Sequence, residues 1–172
     1  MAYQMMSEPK AINQQIVILI PTEISQQFPS RGLVMARGEL AGVPFTAPLE
    51  PDGKKGHFLL VEPLLAKAAG IKPGVSVRLE LALTDDWPEP QLPADITSAL
   101  READLLDVWQ TLTVKARWEW LRWIRSTKVA ATRHKRIGVA VSKLSQGDRR
   151  PCCFNAAGCS LPDISSSGVL SL

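Results

Sequence analysis

Residues 57–83 read HFLLVEPLLAKAAGIKPGVSVRLELAL, and their pattern is strand, short helix, tight turn, strand. Phe58–Val61 is a continuous apolar run of strand length, and Pro63 suits a first helical turn because its missing amide hydrogen has no partner there anyway. Leu64, Leu65 and Ala68 form a short apolar stripe, Gly70 is a C-terminal cap, and Lys72-Pro73-Gly74 is a turn. Val75, Val77, Leu79, Leu81 and Leu83 then alternate with Ser76, Arg78, Glu80 and Ala82, the period of a half-buried strand.

A looser copy of this unit comes before it. The apolar run Ile16–Ile20 is followed by Pro21, an amphipathic segment to Phe28, the turn Pro29-Ser30-Arg31-Gly32, and a second strand, Leu33–Leu40. Ala41-Gly42 is a hairpin turn into Val43–Leu49, where Val43, Phe45, Ala47 and Leu49 share one face. Pro51–Gly56 returns the chain to Phe58. Two strand-helix-strand units joined by a hairpin predict a duplicated small β-barrel over residues 15–84. The segment Ala69–Val77 resembles the double-split barrel of the AbrB and MazE transcription-factor group, in which two chains build one barrel. Residues 1–14 lack periodicity and contain Pro9, so a flexible tail is expected there.

Residues 85–93, DDWPEPQLP, hold three prolines and read as a linker. Helical periodicity occupies residues 94–147. Asp95 is expected to cap a helix carrying Ile96, Ala99 and Leu100, and a second helix starts near Asp104. Thr113 is expected to cap the main helix, Val114–Ser126, with Val114, Trp118 and Leu121 in its core stripe and Trp120, Trp123 and Ile124 widening the apolar arc; a last helix spans about Ala130–Leu144 with Ile137, Val141 and Leu144 inside. The fold class is therefore α+β: a duplicated barrel, then a helical bundle, then a loosely attached Cys-containing tail, 148–172.

Charge is unevenly distributed. Residues 1–114 carry nine Lys or Arg against fourteen Asp or Glu, whereas residues 115–150 carry eleven against two. This basic stretch is the main functional signal. It predicts contact with an anionic or acidic partner, a protein or membrane surface first and nucleic acid second, through Lys115, Arg122, Arg125, Arg133, Lys135 and Arg136. The plain alternative is a solvated helix face.

Catalytic signals are sparse. His57 and His134 have no nucleophile or carboxylate near them in sequence, and Gly53–Gly56 lacks the helix that follows a phosphate-binding loop. Cys152, Cys153 and Cys159 are a weak metal candidate, since a structural zinc site needs four ligands and no His lies nearby. Helical spacing assigns Trp118, Trp120 and Trp123 chiefly to packing rather than to base stacking. An enzyme is not expected, and neither is a cofactor. No apolar run approaches a membrane span or a secretory signal, and the odd cysteine count fits a reducing compartment, so a cytoplasmic location is expected.

The joint order of Arg31-Gly32, Gly42-Val43-Pro44-Phe45, Gly70–Gly74, Trp123-Ile124, Lys128, Thr132-Arg133 and Arg136-Ile137 resembles the YdeI/OmpD-associated, or bacteriocin-protection, family of bacteria. The resemblance spans roughly residues 15–150. It implies a barrel domain of unknown function ahead of the helical domain that names the family, and a link to bacteriocin or antimicrobial-peptide resistance. It offers no agreed catalytic residues to carry over. The expectation is a non-enzymatic interaction protein; the alternative is a nucleic-acid-binding regulator, weakened by the acidic barrel.

Overall fold

A computed structural model describes residues 1–152 and 154–172. The chain divides into two compact units: Met1–Asp86 with Ala156–Cys159 and Asp163–Leu172, and Trp87–Asn155 with Ser160–Pro162.

The first unit is a curled antiparallel sheet, a half-barrel. Its elements are β1 (Ala2–Ser7), β2 (Lys10–Ile12), β3 (Gln15–Leu19), α1 (Thr22–Ser25), β4 (Val34–Leu40), β5 (Val43–Pro51), β6 (His57–Val61), α2 (Pro63–Ala69) and β7 (Val77–Leu83). The seven strands run in the order β1-β7-β4-β5-β6-β3-β2. The curl gathers Ile18, Val34, Leu40, Leu49, Leu59, Leu79 and Leu81 into one core. Gly38 permits it: a Cβ there would lie 1.9 Å from the Glu80 carbonyl oxygen, so only glycine lets β7 approach β4 this closely.

The β4–β5 hairpin turns on Ala41 and Gly42, with φ of 49° and 81°. Two successive left-handed residues match the right-handed twist of the flanking strands. The Gly70 cap of α2 is also left-handed, and its amide donates to the Lys67 carbonyl.

Two expectations about this unit need correction. Pairing follows an open order with β1 and β2 at its two ends, rather than closing into a barrel. The N-terminal residues are not a frayed tail. β1 pairs along β7 from Ala2↔Ala82 to Ser7↔Val77, and β2 pairs with β3. An edge strand presents a row of main-chain donors and acceptors, and a segment can pair with them whether or not its own side chains alternate. Pro9 lies between β1 and β2, and its carbonyl accepts from the Gly74 amide at 2.9 Å.

The C-terminal segment is not loosely attached either. β8 (Ser165–Ser166) and β9 (Val169–Leu170) form a small hairpin, Ile164 and Leu170 are buried, and the Leu170 amide donates to the Asp52 carbonyl at 2.9 Å.

The second unit consists of α3 (Ala94–Glu102), α4 (Leu106–Thr111), α5 (Val114–Arg125) and α6 (Ala130–Ser145). Ile96, Leu100, Trp109, Trp120, Ile124, Ile137 and Leu144 form its core. The Thr113 hydroxyl accepts from the Ala116 amide at 3.1 Å, a cap worth about 1 kcal/mol. Asp95 does not cap α3. That position is Pro93, and Asp95 lies inside the first turn, where a carboxylate favours the positive end of the helix dipole.

The core stripe of α5 is rotated from the expected one. Trp118 is only half-buried, with its ring edge on Trp87 and its Nε1–H donating to the Pro88 carbonyl at 2.9 Å. Leu121, Trp120 and Ile124 are buried as expected, and Ala116, Arg117 and Arg122 join them on the inner side. Two arginines on the inner side hid this face from a hydrophobic count, which places every charge outside.

Candidate functional site

The six basic residues predicted to meet a partner have different environments. Arg122 is fully buried: its Nη1 donates to Glu119 Oε1 at 3.2 Å and its guanidinium lies 5.2 Å from the Phe154 ring. Its assignment to a binding surface is therefore corrected. Taking a guanidinium out of water is costly unless it is paired, and here the helix supplies a carboxylate three residues earlier while Phe154 lends an aromatic face. Arg136 also turns inward, donating to the Trp123 carbonyl at 2.8 Å and to Ser126 Oγ at 2.7 Å. Arg125 donates to Ser160 Oγ at 3.0 Å.

Arg133 clamps Asp95 with two parallel bonds of 2.8 and 3.0 Å, joining α6 to α3. The bond from Arg133 holds the Asp95 carboxyl below its usual range, and the same bond raises Arg133. Both side chains keep solvent contact, so the pair contributes about 0.2–1 kcal/mol. Lys115 is exposed, with its ammonium 5.2 Å from the Trp87 ring centre, and Lys135 is exposed on α6. The sequence counted charges correctly but could not tell structural arginines from presented lysines.

A second arrangement lies in the sheet unit, and sequence reasoning missed it. His57, at the start of β6, and Ser25, at the end of α1, are both 1% exposed and meet with Ser25 Oγ 2.7 Å from His57 Nδ1. His57 Nε2 is 2.8 Å from the Gly32 carbonyl oxygen. A carbonyl only accepts, so Nε2 carries the hydrogen; burial favours the neutral ring, and in that form Nδ1 accepts from the Ser25 hydroxyl. Burial, the largest cause, lowers the His57 pKa; the Gly32 bond acts against it, nearby Arg31 adds to it and Asp52 opposes it. Phe28 packs against the ring, centroids 5.2 Å apart.

Arg31 fastens the same loop. Its Nη1 donates to the Lys55 carbonyl at 2.7 Å, and its Nη2 to the carbonyls of Ser25 and Phe28 at 2.6 and 3.0 Å. Above this network is a cleft of about 540 Å³ whose walls include Thr22, Gln26, Arg31, Asp52, Lys54 and Lys55. Ser25 and His57 are 32 residues apart, which is why neither flagged the other. One signal was available: His57 shares a face with Leu59 and Val61 at period two, and so points inward.

Among the described residues no group of three or more His, Cys, Asp or Glu is placed to hold a metal ion. Cys152 is exposed and Cys159 buried, while Cys153 lies outside the described residues. His134 is exposed on α6. No helix among the described residues is long and apolar enough to cross a membrane.

Fold and sites together define an α+β protein with a curled antiparallel sheet followed by helices. Comparison with known families adds that residues 89–147 match the family described as bacteriocin-protection, YdeI or OmpD-associated, and residues 6–81 match a domain of unknown function, DUF1905. The first match supports the family that the sequence resembles and coincides with the helical unit. The AbrB-like likeness has no counterpart in these matches. No curated protein matches the chain.

Proposed function

We propose that this chain is a non-enzymatic protection protein of the bacteriocin-protection type, acting in the cytoplasm through cations of its helical unit on an anionic membrane surface or acidic protein. The observation that carries this reading is the family match over residues 89–147. Of the six predicted cations, Lys115 and Lys135 are exposed, and Lys128 joins them just before α6. Arg133 is tied to Asp95 and is secondary, while Arg122 is buried inside the unit. The sheet is read as an internal duplication, because first strands pair with each other, β3 with β6, and second strands likewise, β4 with β7.

Titration with anionic liposomes, followed by tryptophan fluorescence, tests the membrane arm. Saturable binding that weakens steeply with salt, and is lost in the triple variant Lys115→Glu, Lys128→Glu, Lys135→Glu, is the expected result. Each basic group near an anionic surface contributes about 1 kcal/mol, so the triple change removes most of the attraction. Duplex DNA and RNA serve as controls. Binding unaffected by the triple variant would refute the assignment of these residues.

A further inference from the structure

We infer that the cleft beside α1 in the sheet unit is a binding site for a phosphate group, whether as the free ion or as a small phosphate monoester. The inference is independent of the proposed protection role and rests on charge, rigidity and size.

Three cations line the cleft, Arg31, Lys54 and Lys55, against one carboxylate, Asp52. Arg31 is locked by bonds to three main-chain carbonyls, all neutral acceptors, so its position is set while its charge is not cancelled by a contacting acid. Asp52 is occupied in the opposite sense. Its Oδ1 accepts from the amides of Lys54 and Gly56 at 2.7 and 2.8 Å, which ties the carboxylate into the β5–β6 turn. Lys54 and Lys55 are exposed at the mouth, and among the described residues neither makes an ion pair.

The rest of the lining suits an oxyanion as well. Thr22 and Gln26 present a hydroxyl and an amide from exposed positions. Ser25 beneath them is bonded to His57, and neither side chain carries negative charge, so this wall adds none to compete with the ligand. One fixed guanidinium with two exposed ammoniums is a combination suited to phosphate: the first defines the site and the others are free to reach the ligand. The volume is that of a small-molecule site, and the net positive lining contrasts with the acidic sequence around it, nine basic against fourteen acidic residues through position 114.

The test is titration of isotope-labelled full-length protein with inorganic phosphate, and separately with phenyl phosphate, at constant ionic strength held by chloride. The expected result is saturable shifts of the amide signals of Thr22, Gln26, Lys54, Lys55 and Gly56. The double variant Lys54→Gln, Lys55→Gln, altered only in an exposed turn, removes both ammoniums and should bind at least about tenfold more weakly. Tighter binding of phenyl phosphate than of phosphate would assign a monoester ligand, and the reverse the free ion. Shifts that do not saturate, that are spread over lysines elsewhere, or that persist unchanged in the double variant would overturn the site.

Discussion

At the scale of single residues, the burial of His57 leads to an expected dependence of stability on pH. Its ring is enclosed, donates to the Gly32 carbonyl and accepts from Ser25, so the folded state favours the neutral form and its pKa lies below the ordinary 6.5. Between that folded value and 6.5 the unfolded chain binds more protons than the folded one, so stability rises with pH across the window. Acidification from about pH 7 toward pH 5 should therefore lower the melting temperature, and the loss should level off once pH falls below the folded pKa. His57→Gln should start less stable and lack this slope. Asp95 responds separately: its pKa is held below 3.8 by Arg133, so its stabilisation is lost only at more acid pH. Thermal unfolding monitored by circular dichroism at several pH values distinguishes the two.

At the scale of elements, two glycines test the packing of each unit. Gly38 in β4 faces β7 so closely that any Cβ would press into the Glu80 carbonyl. Gly38→Ala should cost roughly 1–3 kcal/mol or more, because main chain rather than a flexible side-chain end has to move. Gly138, in the middle of α6, has nothing within 4 Å of an added Cβ. Gly138→Ala should stabilise by about 0.5–1 kcal/mol, the usual gain of replacing glycine in a helix interior. Urea unfolding of both variants gives the comparison. Opposite signs are expected; a neutral Gly38→Ala would show that β4 and β7 are less tightly apposed.

At the scale of the whole molecule, the C-terminal segment is part of the sheet unit's construction. Ile164 and Leu170 are buried, and the Leu170 amide caps the Asp52 carbonyl beside the β5–β6 turn. Deleting residues 163–172 should destabilise that unit by roughly 2–5 kcal/mol, from two large apolar side chains whose burial contributes about 1.5–3 kcal/mol each as an upper bound. Hydrogen exchange should show faster opening at Asp52–Gly56 in the shortened chain, and unchanged exchange there would argue against the deletion prediction.

Local signals in the chain determined the strands from Ile16 to Leu83, the Ala41-Gly42 hairpin, the Gly70 cap, the Thr113 cap and the helical stretch after Pro93. Each depends on neighbours in sequence: period-two alternation, a left-handed turn, a hydroxyl before a first helical turn. Tertiary structure alone decided the rest. It recruited Ala2–Ser7 and Lys10–Ile12 as strands, because an open sheet edge selects by main-chain hydrogen bonding. It drew Arg122 and Arg136 inward, because Glu119, Phe154 and the Trp123 carbonyl could satisfy them. And it joined Ser25, Arg31 and His57, residues separated by up to 32 positions, into one network beneath a cationic cleft. Periodicity reports which way a side chain points; which distant group it meets there is a property of the folded chain.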